Sequence, residues 1–191
     1  MSNENNISVV SYPTVKKHFY ICFLYIVVVV LAGLTYSLQF LQKYPFPGVE
    51  YLSPGRVRMV HTNGVAYAWL ANGLWAILYY IVPKLTGFKI WSEKLASFTF
   101  WFYNTLVLAS VVLILGGHAQ GLEWAETPQI LDPLIALAVV LIHVNIFIPI
   151  FKARAHSMYV SLWYIAAGLF WTPLVYLMGN FLPQYFFAGT S

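Results

Sequence analysis

The chain has 191 residues, of which 60% are hydrophobic, 18% aromatic and only 8% charged, with a formal net charge of +4. A soluble domain carries roughly a quarter charged residues, so this composition excludes a water-soluble globule and describes a polytopic membrane protein whose solvent is mostly lipid. The positive charge does not point to nucleic acid, because the basic residues lie in short flanks between apolar runs rather than in one stripe.

Residues 1–17 form a polar segment too long for a signal peptide, and the apolar run after it is also too long, so the first span is expected to remain as an anchor. A hydrocarbon core about 30 Å thick needs roughly 20 residues of helix. Five segments reach that length, at about 18–41, 61–83, 95–117, 130–151 and 158–182, and residues 183–191 are left as a tail. They are continuous apolar runs rather than short alternating strands, which predicts an all-α transmembrane five-helix bundle, one membrane domain over residues 18–182. Cys22 is the single cysteine, so a disulfide framework, a CxxC metal site and covalent haem attachment are all excluded.

Lys16, Lys17, Lys84, Lys89, Lys94, Lys152 and Arg154 fall on one side of these spans, against Lys43, Arg56 and Arg58 on the other. The side richer in basic residues is predicted cytoplasmic, giving an N-in, C-out chain. Glu50, Glu123, Glu126 and Asp132 then lie on the outer side. Trp91, Trp101, Trp124 and Tyr44 sit near span ends as an aromatic belt would, and Pro133, Pro149 and Pro173 predict kinks within a packed bundle. No carboxylate stands inside a span to mark a proton relay.

The outer side gathers the most chemistry. The run SPGRVRMVHTNG, residues 53–64, puts Arg56, Arg58 and His61 at the expected start of the second span. A neutral imidazole at such a place can ligate a haem iron, and two nearby guanidiniums can neutralise its propionates. Equally, the arginines can snorkel to lipid headgroups around an ordinary interfacial histidine. Asn72 is eleven residues on, about three helical turns, so it shares a face with His61 that is expected to be buried and to be where a cofactor would sit. In GLEWAETP, Glu123 and Glu126 could face one hard cation such as calcium if the loop turns helically; otherwise they are solvated carboxylates. His18 and His156 read as boundary residues at the cytoplasmic edge. His143 lies too deep to share an iron with His61 and is expected to hydrogen-bond between helices, with Asn145 as a candidate partner. His118 has the right depth for a second axial ligand.

The run LSPGRVRMVHTNGVAYAWLANGLWAILYYIVP resembles the second transmembrane helix of the catalytic subunit of C-type (cbb-type) haem-copper oxidases and of the related nitric oxide reductases. The EWAETP loop, the KARAHS turn and the MYVSLWY start of the fifth span are similar in the same order, so the resemblance extends from about Tyr12 onward. It implies that the bundle is equivalent to the first five of about twelve helices. It further implies that His61 is an axial ligand of low-spin haem b, that Arg58 and Arg56 stand near its propionates, and that Glu123, supported by Glu126, holds a structural calcium ion. The histidines for a high-spin haem and for copper (or non-haem iron) come after the fifth span in that family. The resemblance therefore implies a partner, the C-terminal half of the catalytic subunit with about seven spans and the remaining ligands, and this chain reads as one half of a split subunit without catalytic residues of its own. A cytochrome c would donate electrons in a bacterial or archaeal cytoplasmic membrane. Nitric oxide reductase is the alternative acceptor chemistry. A cytochrome b type anchor, with His61 and His118 on one haem exchanging electrons with quinol, and an electron-free assembly protein are the readings from other classes.

Overall fold

A computed structural model describes residues 9–153 and 158–182, with Phe181 as backbone only. Arg154 and His156, the end of the KARAHS turn, and the tail 183–191 lie outside the described residues. Among the described residues all regular structure is helical. Five rods are long and apolar enough to cross a membrane: Tyr12–Leu41, Pro54–Thr86, Glu93–Leu115, Asp132–Ala153 and Val160–Asn180. The α-helices within them are α1 (Tyr12–Ser37), α2 (Pro54–Asn63), α3 (Ala71–Thr86), α4 (Glu93–Leu115), α5 (Asp132–Ala153) and α6 (Val160–Tyr176).

The helices start elsewhere than apolar length predicts. Pro54 sits in the first turn of α2, where its fixed φ suits helix initiation and its missing N–H costs nothing. Arg56 and Arg58 are thus helical, and His61 stands two turns inside the helix instead of at its mouth. Likewise α1 begins at Tyr12 rather than His18, again with proline in its first turn. This carries His18 about 9 Å further along the rod than expected, at 1.5 Å per residue.

Antiparallel packing of α1 against the second rod organises one side of the bundle. That rod runs α2, then a π-helical stretch Gly64–Leu70, then α3. Three contacts mark the register. His61 Nδ1 lies 2.7 Å from the Val29 carbonyl oxygen. A Cβ on Gly64 would stand 2.6 Å from Val29 Cγ1, so only glycine lets the two backbones approach there. Deeper in, His18 Nδ1 lies 2.8 Å from Asn72 Oδ1. His61 and Asn72 do share a face, as their spacing predicts, and that face looks at α1.

What fills the face differs from expectation. Asn72 is fully buried and its amide also donates to Asn104 Oδ1 on α4 at 3.1 Å, so helices, not an open cavity, surround it. His18 is not a boundary residue: it is fully buried, stacked on Tyr79 at 5.5 Å between centroids, with Trp75 and Phe100 edge-on. Around this cluster Tyr103, Val82, Ile142 and Ile146 form a core between α3, α4 and α5. His143 is held between helices, as expected, but by Trp75 Nε1 at 3.3 Å and the Leu169 carbonyl at 2.9 Å. Asn145 is occupied elsewhere. Its side chain accepts from Ser92 N and donates to Ser92 O, pinning the turn that leads into α4.

At the opposite end from His61, Lys17 donates to Ser97 at 2.9 Å, and Ser11 hydrogen-bonds Glu93. These contacts bring the starts of α1 and α4 together. Removing Asn72 would strand both His18 and Asn104. Asn72→Ala should lower stability by about 1–2 kcal/mol, since interhelical hydrogen bonds in membrane proteins are individually modest. Thermal unfolding in detergent beside Thr172→Ala, an exposed threonine on α6 whose hydroxyl, among the described residues, bonds its own helix alone, checks this. Equal midpoints for the two variants would contradict it.

Candidate functional site

The HTN triplet divides its labour among three directions. His61 turns to α1, where its Nδ1 meets the Val29 carbonyl. Thr62 bonds back to its own helix at the carbonyls of Arg58 and Met59. Asn63 reaches the loop after α4, donating to Glu126 Oε2 at 2.8 Å. A carbonyl can only accept, so Nδ1 carries the proton and Nε2 keeps a free lone pair. Among the described residues no hydrogen bond reaches Nε2. An imidazole fixed by its Nδ1–H on a backbone carbonyl is the arrangement that orients a metal-ligating histidine, so His61 fits a haem iron.

Arg58 draws the acidic loop onto α2. Its Nη2 lies 3.4 Å from Glu126 Oε1 and its Nη1 3.7 Å from Glu123 Oε1. The two acids are unequal: the Glu126 side chain is 2% exposed, that of Glu123 75%. Burial of Glu126 is tolerable because Arg58 neutralises it while Asn63 occupies its second oxygen. Helical turning of this loop does not occur. Trp124, between the acids, has φ 65°, and the carboxylates meet at a guanidinium rather than along a helix face. Among the described residues no three or more His, Cys, Asp or Glu side chains gather as a metal site.

Arg56 has a different post. Nη1 donates to the Leu115 carbonyl at 2.9 Å and Nη2 pairs with Glu50 at 2.8 Å. A cation thus sits at the C-terminal end of α4, where unpaired carbonyls and the helix dipole favour it. Gly117, at φ 90°, turns the chain out of that helix, and a Cβ there would stand 2.7 Å from Arg56 Nη2. Both guanidiniums retain N–H donors beyond those used, which further anionic groups can accept. His118 is exposed just past this turn, and among the described residues no hydrogen bond joins it to His61.

Asp132 opens α5 fully buried, accepting from Gln120 Nε2 at 2.7 Å and Tyr176 Oη at 3.0 Å. The loop between α4 and α5 is thereby fastened at both ends. Sequence reasoning assigned no role to Val29, Gly33, Asn63, Gln120 or Tyr176. Asn63 left a signal as part of the HTN triplet, and Gly33 as a lone glycine inside an apolar helix.

The sequence pattern of the family described as cytochrome c and quinol oxidase polypeptide I matches residues 14–189. This chain belongs to that family. It is thus an integral membrane protein of the haem-copper oxidase subunit I family, which takes in terminal oxidases and nitric oxide reductases. It is 29% identical to the cbb3-type cytochrome c oxidase subunit CcoN1 of Stutzerimonas stutzeri, over 72% of this chain and 29% of that protein. With cytochrome c oxidase subunit 1 of Rhodobacter capsulatus the identity is 26%, over 81% and 30% respectively. A nitric oxide reductase subunit of Stutzerimonas stutzeri is 35% identical over 56% of this chain and 21% of its own length. The chain therefore spans less than a third of each of these relatives.

The division of labour between the two loop acids has a measurable consequence. Glu126→Ala would leave Asn63 and Arg58 without their buried acceptor and should cost about 1–3 kcal/mol. Glu123→Ala, at an exposed position, should stay within about 0.5 kcal/mol of the parent. Thermal midpoints of the two variants in detergent decide between this and an equal partition.

Proposed function

We propose that this chain supplies His61 as one axial ligand of a low-spin haem b in a respiratory terminal oxidase of cbb type. The observation that carries the proposal is the His61 Nδ1 to Val29 carbonyl hydrogen bond, which leaves Nε2 with a free lone pair to offer a metal. When bound, the haem supplies one-electron transfer between a cytochrome c donor and an oxygen-reducing haem-copper centre. The ligands of that centre, and the second axial ligand of haem b, belong in this reading to the C-terminal half of the catalytic subunit. Arg58 and Arg56 offer their remaining N–H groups to the propionates. Glu123, with Glu126 in support, would supply carboxylate to a calcium ion at this loop, and the membrane is the cytoplasmic one with the N-terminus inside.

What this chain does chemically is bind and orient. The α1 carbonyl fixes the imidazole, while Arg58 and Asn63 hold the acidic loop against α2. No residue here is assigned to oxygen chemistry. A nitric oxide reductase is the second reading, favoured by the higher identity to the reductase relative over a shorter stretch. Consumption of oxygen against nitric oxide by the assembled complex separates the two.

His61→Ala should abolish the low-spin haem b band in reduced-minus-oxidised spectra of the assembled complex, and turnover with cytochrome c should fall to background. Retention of a normal low-spin spectrum would falsify the assignment. Metal analysis tests the calcium site separately: Glu123→Ala should lose the bound calcium while His61 still holds haem.

A further inference from the structure

His61 leans on a position of α1 that only glycine can occupy. A Cβ at residue 33 would stand 2.6 Å from His61 Cε1, 2.7 Å from Nδ1 and 3.1 Å from Nε2. Carbon atoms do not pack so closely, and all three contacts are to a rigid ring rather than to the end of a flexible side chain. Val29 lies one turn earlier on α1, so its carbonyl and the bare backbone of Gly33 are neighbours on one helix face. One turn of α1 thus presents both the acceptor for Nδ1–H and the flat space against which the ring lies.

We infer that Gly33 and the Val29 carbonyl form a positioning site for His61, with α1 setting the tautomer and ring plane of the axial ligand and thereby the haem's reduction potential. This rests on the ligand role proposed above for His61. A hydrogen bond from Nδ1–H makes the imidazole a stronger electron donor, which favours the oxidised iron. Weakening that bond removes the preference and raises the potential. Rotating the ring about the axial bond changes the magnetic anisotropy of a low-spin ferric haem, so the device has a signature independent of turnover.

The test uses the assembled, haem-loaded complex with Gly33→Ala, and Gly73→Ala as a control. Gly73 stands on the same pair of packed rods, where a Cβ would meet only Cys22 Sγ at 3.1 Å. Gly33→Ala should shift the low-spin ferric g-values and raise the midpoint potential of haem b; Gly73→Ala should change neither. Unchanged g-values and potential in Gly33→Ala, or the same shift in both variants, would overturn the inference. If Gly33→Ala does not assemble, the unaltered complex decides. Pulsed EPR of its oxidised haem should show a remote-nitrogen quadrupole coupling typical of a strongly hydrogen-bonded N–H, and the coupling of a free N–H would equally overturn it. His61→Ala distinguishes the two levels, because haem retained in that variant defeats the ligand assignment itself rather than its positioning.

Discussion

Register between α1 and the second rod is the constraint on which the site depends. Between apolar helices in lipid, burial of apolar surface gives little discrimination among sliding positions, since the lipid is as apolar as the partner helix. Polar groups and close glycine contacts discriminate far better. His18 with Asn72 and His61 with the Val29 carbonyl occur eleven residues apart on both rods, and Gly64 locks the interval beside Val29. A slip of one turn would bury His18 against a side chain that cannot accept its proton and would drive a Cβ into the imidazole of His61. The contact that secures the bundle and the contact that orients the site are therefore two ends of one interface.

The π-helical stretch between His61 and Asn72 belongs to the same logic. Such a stretch inserts a wide turn into a helix and recurs at functional sites. Here it begins at Gly64, immediately after the HTN triplet, so the triplet is held by α2 while Trp75 and Tyr79 are held by α3. Asn63 can reach the loop after α4 on one side while Asn72, further down the rod, reaches α4 itself.

Apolar run length made the five spans readable, and the triplet with its two arginines made the site readable. Both readings stop where the determinant is not a side chain of the motif. Hydropathy senses lipid, whereas a helix continues through Lys16, Lys17, Arg56 and Arg58 as readily as through valine; Pro13 and Pro54 were the better start signals. The six-residue error at the start of α1 is what made His18 look like an edge residue. Val29 acts through its carbonyl, which every residue possesses, and from a helix that sequence cannot align with His61. Glu123 and Glu126 look equivalent in EWAETP, and only the path of the loop buries one and exposes the other.

Charge around Arg58 bears on what the site can accept. Two guanidiniums, Arg56 and Arg58, face three carboxylates, Glu50, Glu123 and Glu126. The pairing is already short of positive charge before any propionate arrives. Glu50 and Glu123 are exposed and screened by water, so they weigh little. Glu126 is buried and weighs most, and Arg58 is committed to it. A dianionic ligand approaching Arg58 would leave the two acids and the two propionates sharing too few cations in a poorly solvated place, a cost that grows as the dielectric falls. A divalent cation offsets that excess more effectively than further hydrogen bonds can. The proposed calcium would accordingly be recruited by the loaded site, with Glu123 supplying it a carboxylate at little cost because that side chain is the one not already buried.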